Sequence, residues 1–174
     1  MNSSKADAAA QHMMFQRNGW VPNNPRLPVL VYPKAIAVQG DDPAALFEQT
    51  FSANGWPPQW RYGIYDFHHY HTEGHEVLGI ASGHARLMLG GPGGQVLQVS
   101  AGDVLLLPAG TGHCNLDCSD DFLVVGAYPP GQHADICREA PSAAQLQDID
   151  MLPFPDRDPV QGAHGAVSEY WCKG

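Results

Sequence analysis

Short apolar runs of strand length, separated by turns rich in glycine and proline, dominate the pattern along this chain. Val29-Leu30-Val31-Tyr32 is a continuous apolar tetrad. It is entered from Pro22 to Pro28, a segment its prolines keep extended, and it reads as a strand. Asp41-Asp42-Pro43 then sets a carboxylate cap and a first-turn proline ahead of Leu46, Phe47 and Phe51 on one face. That arrangement predicts a helix, ended by Asn54-Gly55. From Trp60 onward the pattern turns to strand. Arg61 to Tyr70 is rich in aromatics, and Glu76 to Leu89 is broken only by Ser82-Gly83, a hairpin turn. Gln95 to Val99, Val104 to Leu107 and Phe122 to Tyr128 continue the ladder. Ser142 to Met151 predicts a short helix, and Tyr170 and Trp171 are expected to pack a proline-rich end back on the body.

No internal repeat is present. Regular short strands with Gly/Pro turns predict one all-β sandwich or barrel, a single domain over residues 19–174 whose stretch 60–130 holds the candidate metal motifs. Residues 1–18 are expected to form a flexible tail, with room for a short helix near Ala8 to Phe15.

Composition narrows the range of functions. A chain of 174 residues can bury one respectable core. Hydrophobic residues make up 44% against 16% charged, which excludes a disordered protein. Nine Lys and Arg and a net charge of −9 exclude a nucleic-acid partner, because phosphate binding needs a basic patch. No apolar run is long enough to span a bilayer, so no membrane role is expected. Met1 to Gln16 lacks the continuous apolar core of a secretory signal. The expected address is therefore the cytoplasm, with Cys114, Cys118, Cys137 and Cys172 as reduced thiols. The Gly90 to Gly94 turn is not a phosphate loop, since no Lys-Ser/Thr follows it.

Two stretches carry candidate chemistry. Phe67 to Gly83 contains His69 and His71, which point to one face of an extended chain, and Glu76 follows after a short loop. Gly102 to Asp117 returns His113 from a second hairpin. Burying three imidazoles beside a carboxylate with no shared partner is costly, whereas a divalent cation satisfies all four groups. His69, His71, Glu76 and His113 are thus the candidate ligands. His75, on the loop before Glu76, is an alternative that would replace His69. His68 has the wrong parity to join them. Imidazole and carboxylate ligands suit one divalent transition metal per chain, whether iron, manganese, nickel, zinc, cobalt or copper. Four protein ligands on an octahedral ion leave two adjacent positions open for chemistry. Tyr62, Tyr65 and Tyr128 are candidates to orient substrate or donate a proton, and Glu73 is a candidate acid or base at the mouth.

These residues resemble a known family. His69-x-His71, four residues, Glu76, six residues and Gly83 match the first motif of the cupins. Gly102, five residues, Pro108-x-Gly110, two residues and His113 match the second. The Pro22 to Pro28 segment, His75-Glu76-Val77-Leu78-Gly79 and Gly126-Ala127-Tyr128-Pro129 are similar to the small bacterial YjlB-type single-domain cupins, over roughly Trp20 to Trp171. One departure is Asp117, where the second motif usually closes with asparagine. The resemblance implies an RmlC-like jelly-roll barrel with a short helix before it and a helical tail after it. It also implies a homodimer. The extended Pro22 to Tyr32 arm, with a sheet edge to join, agrees with that.

For function, the expectation is a metal-dependent enzyme acting on a small molecule in the barrel mouth. Oxygen-dependent, dioxygenase-type cleavage comes first, with isomerase or lyase chemistry close behind. Two other readings stay open: a binding or sensing module that turns nothing over, and a metal-free epimerase using a histidine base. Cupins host many unrelated reactions on one scaffold, so fold alone does not choose among them.

Overall fold

The hydrophobic runs assemble into two antiparallel sheets in the computed structural model, which describes residues 9–171. In chain order the elements are β1 (Gln11–Met13), β2 (Val29–Tyr32), α1 (Pro43–Ala53), β3 (Pro58–Tyr62), β4 (Glu76–Ser82), β5 (His84–Leu89) and β6 (Gln95–Ser100). They continue with β7 (Val104–Leu107), β8 (His113–Cys118), β9 (Leu123–Ala127), α2 (Ala143–Met151) and α3 (Ala166–Tyr170). One sheet runs β1-β2-β7-β4-β9-β3 and the other β6-β5-β8. The architecture is all-β with a few short helices, as a jelly roll requires.

The larger sheet is covered on both faces, which explains its unbroken apolar runs. Val29, Val31, Leu78, Ile80, Leu105 and Leu107 point inward and pack with Leu87 and Leu89 of the smaller sheet. Their strand neighbours Leu30, Tyr32, Val77, Val104 and Leu106 point outward, beneath Phe47 and Phe51 of α1 and Trp171. Gly79 belongs to this outward set. A Cβ there would sit 2.4 Å from a Phe47 ring carbon, so the helix can approach only a bare backbone. The motif glycines Gly83, Gly102 and Gly110 all take positive φ, at 76°, 102° and 92°. That left-handed conformation favours glycine, and it explains why the two motifs contain them.

Period-two parity therefore fixes where the chemistry falls. Glu76 shares its face with Leu78 and Ile80, so its carboxylate points between the sheets.

Three expectations need correction. Residues 9–15 do not hold a helix: Gln11 to Met13 pair with Val29 to Val31, and Phe15 packs against the inter-sheet core. Residues 1–8 lie outside the described residues. The long strand expected over Arg61 to Tyr70 ends at Tyr62. Its physical reason is a change of sheet: β3 pairs with β9 in the larger sheet, whereas His69 bridges to His113 at the start of β8 in the smaller one. Finally, β2 offers no free edge, because β1 and β7 flank it. Among the described residues the end strands of that sheet are β1 and β3.

The helices expected after Asp42 and over Ser142 to Met151 both occur, α1 following β1 and β2 and α2 following β9. α2 carries a reciprocal capping box between Ser142 and Gln145. Trp171 is buried, and its indole N–H donates to the Pro28 carbonyl at 2.9 Å. Cys114, Cys118 and Cys137 are free thiols, and Cys172 lies outside the described residues. Among the described residues no helix is long and apolar enough to cross a membrane.

Candidate metal centre

His69 and His113 face each other across a two-hydrogen-bond bridge: His69 N–H donates to His113 O at 3.2 Å, and His113 N–H to His69 O at 3.0 Å. Directly opposed residues project side by side, so the bridge alone brings two imidazoles together. Tyr70 bridges instead to Cys137, on the other side, and parity returns His71 to the face of His69. The three histidines are buried, and their candidate ligand atoms all lie within 4.8 Å of one another.

The backbone fixes which nitrogens are available. His69 Nδ1 lies 2.9 Å from Phe67 O, His71 Nδ1 2.5 Å from Asp135 O, and His113 Nδ1 2.9 Å from Thr111 O. A carbonyl can only accept, so each Nδ1 carries a proton, and a ring in its neutral form then presents a bare Nε2 lone pair on the other side. This is the orientation that second-neighbour hydrogen bonds give to metal-binding histidines. Glu76 Oε1 sits 3.3 Å from both His71 Nε2 and His113 Nε2. Lone pairs facing a carboxylate repel unless a proton or a cation lies among them. The donor set therefore fits a metal ion, and the buried three-histidine group can hold one.

The acid–base properties follow from burial and proximity. Burial, with His113 and His71 adding to it, pushes His69 down to about 2, so it stays neutral. Burial also opposes charge on His71, but the adjacent Glu76 carboxylate outweighs it and raises His71. Glu76 behaves reciprocally: burial works to raise its pKa, yet His71 and the bonds to both histidines hold it well below the usual carboxylate range. The group is one coupled unit.

Tyr128 stands behind the carboxylate. Its hydroxyl donates to Glu76 Oε2 at 2.5 Å and accepts from Trp60 Nε1–H at 2.9 Å. Burial and the nearby Glu76 charge raise its pKa, which keeps the phenol a donor. In front of the group lies a cleft of about 360 Å³. Trp60, Ile64, Tyr65, Leu78 and Ile136 line it, with Tyr62 at the exposed rim.

Other sequence candidates fall elsewhere. Glu73 is exposed, pairs with His133 at 2.7 Å and does not line the cleft. His75 is buried but separate from the three-histidine group. Its Nδ1 accepts the Ala109 N–H at 3.0 Å and its ring stands edge-on to Trp171, which corrects the expectation of an alternative ligand. Asp117 is a surface residue bonded to Arg86 at 2.5 Å, away from the centre. Two contributors escaped the sequence reading. Trp60 fixes the Tyr128 hydroxyl, and Asp135 orients His71 while its carboxylate accepts from Thr72 N–H and Glu73 N–H. Nothing in the pattern around Asp135 marks it. Its partner is 64 residues away.

A two-sheet, all-β scaffold with a buried three-histidine group at its inner face is consistent with the cupin class that the motifs resemble. No family model matches the chain. Over 165 residues it is 33% identical to "Uncharacterized protein YjlB" of Bacillus subtilis (strain 168), an alignment covering 94% of this chain and 97% of that protein. The chain belongs to the YjlB family.

Proposed function

We propose that the protein is a metal-dependent enzyme acting on a small molecule in the cleft before the three-histidine group. The observation that carries this reading is the convergence of three buried Nε2 lone pairs and Glu76 Oε1 beside an open cleft of about 360 Å³. His69, His71, His113 and Glu76 would hold one divalent ion: iron, manganese, nickel, zinc, cobalt or copper. Such an ion, when bound, supplies a positive centre that stabilises negative charge developing on substrate oxygen.

The chain's own residues do the rest. Tyr128 spends its proton on Glu76 and so orients that carboxylate, a positioning role in place of the proton donation expected from sequence. Ile64, Leu78 and Ile136 make an apolar wall that limits water. Tyr62 and Tyr65 at the rim can meet substrate. Among reaction classes, oxygen-dependent cleavage comes first and isomerase or lyase chemistry second.

Elemental analysis of untagged protein purified without chelator tests the centre, beside a His71→Ala/His113→Ala variant. About one metal per chain, lost in the variant, is the expected result, and no metal under any loading condition would overturn it. Oxygen uptake by the iron-loaded protein with candidate substrates tests the reaction class. Turnover that depends on metal but consumes no oxygen would move the assignment to isomerase or lyase. A stoichiometric metal with ligands recovered unchanged would favour a binding module.

We also propose that two copies pair through the exposed edge of β1, the end strand of the larger sheet. Sedimentation equilibrium should give twice 18.8 kDa, and a single-chain mass would overturn the pairing.

A further inference from the structure

A second cavity, of about 330 Å³, lies on the other side of the larger sheet and shares no lining residue with the metal-side cleft. His75 and Glu76 are consecutive, so alternation sends them to opposite faces: Glu76 to the metal centre and His75 to this cavity. His75 is 1% exposed. Because its Nδ1 accepts a backbone N–H, that nitrogen is bare and the ring proton sits on Nε2. Among the described residues Nε2 has no hydrogen-bond partner. An unmet buried donor costs about 1–3 kcal/mol, so it marks a position where an acceptor is wanted.

The other polar groups of the wall separate into spent and unspent. Asn23 and Asn24 are engaged with backbone: Asn23 with Gln16 O, Gly90 O and Gly112 N–H, Asn24 with Ala109 O, Arg26 N–H and Leu27 N–H. Arg26 reaches Asp150 at 2.7 Å, while among the described residues Arg17 makes a long 3.4 Å contact through Nε to Gly19 O and acts on Tyr70 through its charge. Two of the chain's nine basic residues thus line this cavity against one acid, in a protein whose net charge is −9. The remaining wall is largely apolar, from Leu27, Ile149, Leu152 and Phe154. One surplus positive charge, a neutral donor and an apolar wall match a single carboxylate on a hydrocarbon body. A doubly charged phosphate would want more cations than the wall offers.

We propose that this cavity binds a small amphipathic monocarboxylate. The carboxylate accepts from His75 Nε2–H and from the Arg17 and Arg26 guanidiniums, and the chain lies along Leu27, Ile149 and Phe154.

The test is an NMR titration of the full chain, with isoleucine methyl and histidine ¹⁵N labels, using octanoate and shorter alkanoates as probes. Octanoate should move the Ile149 methyl and the His75 Nε2 resonance saturably, with affinity falling as the alkanoate shortens. Arg17→Ala and Arg26→Ala change exposed side chains, so the fold should persist, and each should weaken binding about tenfold. Three results would each overturn the proposal. The first is an Ile149 signal that stays still, or one that moves while His75 Nε2 does not. The second is equal binding of octan-1-ol or indifference to both arginine changes. The third is movement at Ile64 and Ile136 in place of Ile149, which would put the carboxylate in the metal-side cleft. None of these readouts depends on a bound metal, so failure here and failure of the metal centre are separable.

Discussion

The hydroxyl of Tyr128 sits at the junction between the indole of Trp60 and the carboxylate of Glu76. Tyr128→Phe removes that oxygen and leaves the buried Glu76 Oε2 and the part-buried Trp60 Nε1–H without this partner, which costs about 1–3 kcal/mol of stability. It also frees the carboxylate to rotate. Loss of such a supporting bond lowers metal affinity by about 10–100-fold, which competitive titration against a chromophoric chelator would measure. His75 offers a test through pH. Burial pushes it down to about 3 in the folded chain, whereas the unfolded chain protonates near the ordinary value of 6.5. Between those values the unfolded state binds more protons, so stability falls as pH falls. The contribution is about 1.4 kcal/mol per pH unit in the middle of the window and is absent above about pH 7. Urea unfolding of the native chain and His75→Gln, compared from pH 7 to 4, should show the steeper acid loss in the native chain.

At the level of strands, Gly126 on β9 is where two elements touch without clearance. A Cβ there would lie 2.1 Å from Trp60 Cε2, so Gly126→Ala must displace the indole of β3. Overpacking of this kind costs about 1–3 kcal/mol. Here it should also loosen the bond to Tyr128 and lower metal affinity, read by thermal unfolding and metal titration together. The strands themselves were legible in the chain because their signals are local: apolar tetrads in β2 and β7, Ser82-Gly83 between β4 and β5, Asp42-Pro43 ahead of α1. Three of the centre's side chains were legible for the same reason, since spacing places His69 and His71 on one face and motif glycines deliver His113. What local pattern could not carry was partnership across sheets. Gln11 to Met13 lie in an alanine-rich stretch that favours helix on its own, and only the backbone of β2 makes it a strand. His75 illustrates the same limit. Its loop position suggested the barrel mouth, but the Ala109 amide and the Trp171 ring, both distant in sequence, turn it the opposite way.

For the whole molecule, the proposed metal site joins both sheets: Glu76 belongs to the larger one and His113 to the smaller. An ion bound by both should stabilise the fold globally. At a hundred times its dissociation constant, free metal should add about 2.7 kcal/mol, visible as a concentration-dependent rise in melting temperature that chelation reverses. A rise that persists in His71→Ala/His113→Ala would assign the effect to another site. The strand order carries one more consequence. β4 lies between β7 and β9, both later in the chain, and the imidazole of His71 is aligned by a carbonyl 64 residues downstream. A polypeptide leaving the ribosome therefore displays its first histidines long before anything can aim them. Chains arrested ahead of Asp135 should therefore retain less metal than the released protein, which metal analysis of stalled nascent chains would measure.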